Sequence, residues 1–272
     1  MDAIKLKVLC ELGRLATTKS YVFCFRGGGP KRESIIYEYN EKNHKAFVKG
    51  WFGGFTGYVH SDADSFFGDL YSQDHVISSL CNSHSRRKFE AISKQSTKED
   101  LSHHAMMVYA QLYKIEKIAK REKMTPEQRY QLRLQYAKPI LEKFKVWLEE
   151  KIHLVPIKSP IAKAMKYALK HWDGLVRYLE DGRLSIDNNH TEQEIKPFVI
   201  ARKNFLFAGS QEGARALCVH FSLIRTAKLH GLDPYRYYVK VMKDIPYCQT
   251  VEDYEALRLH LAHIRTYLVM VF

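Results

Sequence analysis

The sequence predicts an α/β protein: a mixed sheet of five strands, a large all-helical insertion and a helical C-terminal segment. Three observations predict it. Residues 2–81 hold five short runs rich in strand-forming residues, separated by turn signals. From about Ser83 to Leu179, apolar residues recur in steps of three and four, the period of an amphipathic helix. Beyond Ser185-Ile-Asp-Asn-Asn189 the helical period returns and continues to about His230.

Taken in order, Ile4-Lys-Leu-Lys-Val8 alternates as a half-buried strand does. Ser20-Tyr-Val-Phe-Cys-Phe25 is a second strand and ends at the turn Gly27-Gly-Gly-Pro30. Ser34-Ile-Ile-Tyr-Glu-Tyr39 is a third, and the tight connections predict an antiparallel meander. Asn43 to Phe52 reads as a helix capped by Asn43 and ended by Gly53-Gly54. Gly57-Tyr-Val-His-Ser61 is a fourth strand that delivers Asp62 at its end. A short helix around Phe66–Leu70 and a fifth strand from His75 to Cys81 follow.

In the helical region, Leu101, Ala105, Val108, Leu112, Ile115 and Ala119 form one stripe, and Ile161, Met165, Ala168, Trp172, Leu175 and Leu179 another. Such stripes are read as core packing. Thr125-Pro-Glu-Gln128 and Ser159-Pro160 are helix starts. Pro139 should kink or break the helix it falls in, because it donates no backbone N–H. Gly231 stops a helix and Asp233-Pro234 starts the next.

Length and composition narrow the function classes. With 272 residues, 46% of them hydrophobic, the chain can bury a substantial core. No apolar run approaches the roughly 18 residues of a membrane span, so no membrane partner is expected. The first residues read as a strand, not a signal peptide. Five scattered cysteines without a paired motif fit a reducing, cytoplasmic location. A formal charge of +13 and a pI near 9.4 point to a polyanionic partner, most simply nucleic acid, and hence to a nucleoid-associated protein.

The stretch Ser185–Lys196 carries the densest chemistry. Asp187 or Asn188 can cap the helix that follows. Asn188, Glu192 and Lys196 are spaced by four and share a face, which suits a metal ion and a phosphate. The same spacing also describes an ordinary surface helix with a Glu–Lys pair. Two further acids complete a candidate set, Asp2 at the start of the first strand and Asp62 at the end of the fourth. A strand order resembling ribonuclease H would put those strands side by side. Asp2, Asp62 and Glu192 would then supply hard oxygen ligands for one or two Mg²⁺ ions, the arrangement that supports in-line phosphoryl displacement. Cys81 and His84 have the spacing of half a zinc site, but no second pair matches it. They are expected to pack at the strand-to-helix junction and to aim Arg86 and Arg87. Those arginines, with Lys196, Arg202 and Lys203, are the candidates for phosphate contact.

Several blocks are familiar together. Cys81-Asn-Ser-His84-Ser-Arg86-Arg87-Lys88-Phe89 resembles a Cys-Trp-Ala-His-Ala-Arg-Arg-Lys-Phe block. Gly57-Tyr-Val-His-Ser-Asp62 resembles Gly-Tyr-Leu-Gln-Thr-Asp. Asp187-Asn188-Asn189-His-Thr-Glu192 and Arg202-Lys203-Asn204-Phe-Leu-Phe207 resemble Asp-Asn-Asn…Glu-Arg and Arg-Lys-Asn-Trp-Leu-Phe. All four blocks occur, in their order along the chain, in the insertion-sequence sixty-six family of bacterial transposases, and the resemblance runs from about Asp2 to Pro246.

It implies an Asp-Asp-Glu catalytic domain of ribonuclease H-like fold. Glu192 matches the catalytic Glu and Asp62 the second Asp. Val8-Leu9, with Glu11, Gly13 and Arg14, sets a register that puts Asp2 at the first Asp. The implied cofactor is Mg²⁺ or Mn²⁺, and the implied partner is DNA, as transposon ends and target, with self-association. Asp187, Asn188, Asn189, Cys81 and His84 fall in supporting positions. The implied organisation is a first part of the catalytic core at 1–90, a helical insertion at 91–182, the rest of the core at 183–246 and a divergent tail at 247–272. Ala3, Ile4, Lys7, Asp64, Asn82 and Gln193 depart from the family pattern, as does the tail. The chain also starts at the catalytic strand itself. It therefore reads as N-terminally truncated, and an inactive remnant that only binds DNA non-specifically is the alternative.

Overall fold

The computed structural model describes residues 1–28, 33–64 and 67–257. The meander is as expected: β1 (Asp2–Cys10), β2 (Lys19–Gly27) and β3 (Ser34–Asn40) pair antiparallel, with Asp2 opposite Cys24 and Phe23 opposite Glu38. Gly29 and Pro30 of the expected turn lie outside the described residues. A strand not anticipated, β6 (Ala208–Ser210), pairs parallel with the other edge of β1 through Val8 and Cys10. Its three residues are too few to carry an alternating signal.

Separately, β4 (Gly57–Ser61) and β5 (Val76–Leu80) form a parallel pair. Parallel neighbours need a long crossover, and residues 62–75 supply it. The expected helix at Phe66–Leu70 begins outside the described residues; from Phe67 the chain makes a tight turn closed by the Tyr71 N–H on the Phe67 carbonyl at 3.2 Å. The protein is thus mixed α/β. The described ladders comprise a four-stranded sheet, in the order β3-β2-β1-β6, and the two-stranded β4-β5 pair. A single five-stranded sheet with β1 beside β4 is not among them.

The chain divides into two compact units, Met1–Phe47 with the chain from His190 onward, and Val48–Asn189. In the first, Leu6, Val8, Val22 and Tyr37 of the sheet pack against Ile195 and Phe198 of α8 (Asn189–Phe205) and Cys218 of α9 (Gln211–Leu229). Helix α10 (Pro234–Asp244), capped by Asp233, adds Tyr237 and Val241 against Leu223 and Ala227. The helix α1 (His44–Trp51) starts where Asn43 predicted it.

Helix α9 also covers the open edge of β3. The Ser222 hydroxyl accepts the Tyr37 N–H at 2.9 Å, and Thr226 Oγ1 accepts the Ile35 N–H at 3.0 Å and donates to its carbonyl at 3.1 Å. One turn further, His230 Nε2 lies 2.8 Å from the Glu33 carbonyl. Four helical residues rise about 6 Å and two strand residues about 6.7 Å, so side chains at 222, 226 and 230 keep step with alternate strand residues. An edge strand otherwise offers unpaired N–H groups to other chains. Thr226→Val keeps the shape but orphans the buried Ile35 N–H, and should cost about 1–3 kcal/mol in denaturant unfolding while Thr226→Ser costs little. A Thr226→Val protein as stable as wild type would refute this account.

Next to that edge, burial pushes the Glu38 carboxyl up to about 8, against the opposing charge of Arg215. Between the ordinary carboxylate range and pH 8 the folded chain holds a proton that the unfolded chain releases. Stability therefore falls as pH rises through that window, and the penalty is complete above it. Glu38→Gln should melt a few degrees higher than wild type above about pH 8, with the gain vanishing near about pH 4. Parallel melting-temperature profiles across this range would contradict it.

The second unit is mainly helical. Its core joins α2 (Asn82–Ser93), α3 (Leu101–Arg121), α5 (Lys138–Lys151), α6 (Pro160–Lys170) and the short α7 (Trp172–Val176) through Phe89, Tyr109, Leu112, Phe144, Leu148, Met165 and Leu175. Both expected stripes point into it. Thr125 caps α4 (Pro126–Leu132) with the reciprocal Gln128 bond, and Ser159 caps α6. Pro139 does not break its helix. A π turn at Arg133–Ala137 precedes it and joins α4 to α5, and such a widened turn accommodates a missing backbone donor. No helix among the described residues is long and apolar enough to cross a membrane.

Candidate functional site

Asp62 is the first residue beyond β4, placed there because Ser61 ends the ladder. Its Oδ1 accepts the Asp64 N–H at 3.2 Å, and its carbonyl accepts the Ser61 hydroxyl at 2.6 Å. Burial raises the pKa of its carboxyl, opposed by the Asp64 N–H and by the charge of His84. The side chain is half-buried, which makes an anion there costly until a cation joins it.

The Asp187-Asn188-Asn189 motif is held by residues more than ninety positions earlier in the chain. Asn82 donates its backbone N–H to the Ile186 carbonyl at 3.1 Å, and its side-chain amide donates to Ile186 and Leu175 carbonyls at 3.1 and 2.8 Å. The Cys81 sulfur accepts the Asn188 N–H at 3.2 Å. Asp187 and Asn188 are buried in consequence. The Asp187 carboxylate takes both the backbone N–H of Asn189, at 3.2 Å, and its side-chain amide, at 2.7 Å, so it closes the approach to α8. Asn82, a departure from the family pattern, is thus well used.

Glu192 lies in the first turn of α8 and is half-buried. Its neighbour Glu194 is buried and paired with Arg225 at 2.6 Å, and the Glu194 carbonyl accepts the Tyr37 hydroxyl. That pairing anchors the helix that bears Glu192. Sequence reading missed it, because residues 31 apart show no local spacing. Asp2 opens β1, half-buried, with Oδ1 accepting the Ala3 N–H at 2.8 Å. Asp2 and Glu192 belong to the first unit and Asp62 to the second.

The candidate cations differ in freedom. Lys196 and Lys203 are exposed on α8. The Arg202 guanidinium donates to the Lys5 carbonyl, so part of its capacity ties α8 to β1. Arg86 lies over the Tyr113 ring at 5.6 Å. Arg87 is exposed and places Nη2 3.1 Å from His84 Nε2.

Fold and residues together define a mixed α/β protein with a long helical stretch, acidic residues at a strand end and a helix start, and an excess of basic residues. The comparisons with known proteins are specific. The family described as "Transposase IS66 family" matches residues 1–216, and the "IS66 C-terminal element" matches residues 222–258. The chain belongs to the IS66 family of transposases. It is 29% identical over 223 residues to the uncharacterized protein y4jD of Sinorhizobium fredii, covering 80% of this chain and 43% of that protein. It is 26% identical over 270 residues to y4hP of the same organism, covering 93% and 48%. The chain spans about half the length of the curated relatives it matches. No solved structure matches it.

Proposed function

We propose that this chain is the catalytic part of a DNA transposase, which cleaves strands at transposon ends and joins them to target DNA with divalent metal ions. Membership of the family over residues 1–216 carries the reading. In it, Asp2, Asp62 and Glu192 are the carboxylates of a ribonuclease H-like centre, with residues 1–90 and 183–246 as core around the 91–182 insertion. The family's self-association and target contacts are part of the same proposal.

The donor chemistry fits Mg²⁺ or Mn²⁺. Carboxylates are the hard oxygen ligands these ions take, and half-buried Asp62, whose pKa is raised by burial, gains by meeting a cation. When bound, such ions activate a water or 3′-hydroxyl and stabilise the leaving oxygen. The protein's own part is to hold the carboxylates in place. Glu192 is held through the Glu194–Arg225 pair on its helix. Asp62 is held by the Asp64 N–H and the end of β4. Arg86, Arg87, Lys196, Arg202 and Lys203 then neutralise phosphate charge along the bound strands.

The test is a strand-cleavage assay on a duplex carrying the ends of the element that encodes the chain. Cleavage should require Mg²⁺ or Mn²⁺ and stop on chelation. A folded chain that leaves this duplex intact with either ion would sink the reading.

A further inference from the structure

The second unit carries a cationic face of which the sequence reading singled out only the arginine end, at Arg87. Apart from Pro160, every exposed residue of α6 is a lysine: Lys163, Lys166 and Lys170. At 100° per residue they fall within about 60° of one another, along about 10 Å of helix axis. The helix contains no acid, and among the described residues none of the three lysines has an ion-pair partner. The neighbouring α2 adds Arg87 and Lys88, both exposed, and its one acid, Glu90, is occupied by Lys94 at 2.8 Å.

Aromatic rings join the two helices. Lys88 Nζ sits 4.3 Å from the centre of the Tyr167 ring, and the His171 ring lies 4.7 Å from Tyr167. The charges of Lys170 and Lys88 add to burial in lowering the His171 pKa, so one imidazole feels both helices. A cleft of about 280 Å³ continues from Lys170 and His171 to Ala63, Asp64 and Tyr71, beside Asp62 in the chain. Asp64 and Asp173 on its wall are the negative exceptions.

We propose that the α2–α6 face is a DNA-backbone track that runs alongside Asp62, with Lys163, Lys166 and Lys170 on successive phosphates and Lys88 seated on Tyr167 beside them. The identity of the polyanion as DNA rests on the function proposed above; the track itself rests on the geometry. Measured along the duplex axis, about ten ångströms covers about three phosphates of one strand, at about 3.4 Å of rise each. An anionic membrane is the poorer fit, because the apolar side of α6 (Ala164, Met165, Ala168) is already buried in the core and leaves nothing to insert.

The experiment measures binding of the full chain to a fluorescent duplex across a salt series, in chelator, so that no cleavage is needed. Lys163→Gln, Lys166→Gln and Lys170→Gln are combined in one variant. A second variant removes the same charge from α3 through Lys114→Gln, Lys117→Gln and Lys120→Gln. All six positions are exposed, so neither variant threatens the core. The α6 variant should flatten the log–log salt dependence by about 3, so that wild type loses roughly 40-fold more affinity than the variant between about 50 and about 200 mM salt. The α3 variant should change the slope by less than about 1. Equal effects of the two variants would overturn the track and leave only net charge. An α6 variant that loses binding to anionic lipid vesicles while keeping wild-type DNA binding would overturn it in favour of a membrane. Failure of the cleavage assay with the α6 effect intact would overturn the enzyme reading and spare the track.

Discussion

Glu192→Gln is expected to abolish strand cleavage while leaving the chain folded. The side chain is half-buried in the first turn of α8, and its helix is anchored elsewhere, by Glu194 on Arg225 and by the Tyr37 hydroxyl on the Glu194 carbonyl. A half-buried carboxylate at a helix start gains at most about 2 kcal/mol from the helix dipole, so the isosteric amide should shift the melting temperature by only a few degrees. Its effect on chemistry should be far larger. A neutral amide cannot supply the anionic ligand that Mg²⁺ or Mn²⁺ needs, and cleavage should fall by about 10³-fold, the upper end of the loss for one preorganised electrostatic partner of a transition state. Calorimetric titration with Mn²⁺, with DNA present, should show the ligand loss directly. Wild-type cleavage by this variant would remove Glu192 from the mechanism.

Glu116→Ala is expected to be among the most destabilising single changes in the helical unit. Arg133 is fully buried where the π turn begins. Its guanidinium is met by both Glu116 oxygens at 2.8 Å and by the carbonyls of Tyr178, Asp181 and Leu184 at 2.6, 3.0 and 2.9 Å. Removing the one anion leaves a buried cation uncompensated, which costs about 3–5 kcal/mol, or about 10 °C in melting temperature for a chain of this size. Adding Arg133→Met to the same protein should recover part of the loss, because a buried pair can be replaced by apolar packing more cheaply than it can be broken. A loss under about 1 kcal/mol for Glu116→Ala would show that water reaches the guanidinium. The three carbonyls belong to the segment that leads into Ile186–Asn188, so the same variant should also loosen the motif, seen as faster amide exchange at Asn188 and Asn189.

Much of this protein was legible in its residues. Strand runs such as Ile4–Val8 and stripes such as Ala105–Ala119 encode which face is buried, because one strand residue in two and one helix residue in three or four must meet the core. Caps were equally readable at Thr125, Ser159 and Asp233, since the side chain that ends a helix lies beside the backbone it satisfies. The basic charge and the spaced blocks around Asp62, Cys81 and Asp187 carried the family. What periodicity could not carry was pairing between distant partners. Which edge β1 shares with β6, the hydroxyls of α9 on β3, the Arg133 cluster and the stitching of Asn188 to Cys81 all depend on where separate segments meet. A lysine at 163 or 170 likewise reads as any solvated charge until the packing of α6 on α2 shows that it belongs to one face. The sequence by itself determined most of the elements, the buried sides of β1 and of the helical stripes, and the family. The tertiary structure alone decided the partners, because an unpaired N–H, a buried guanidinium or a row of like charges is satisfied by whatever the fold brings near it and not by its neighbours in the chain.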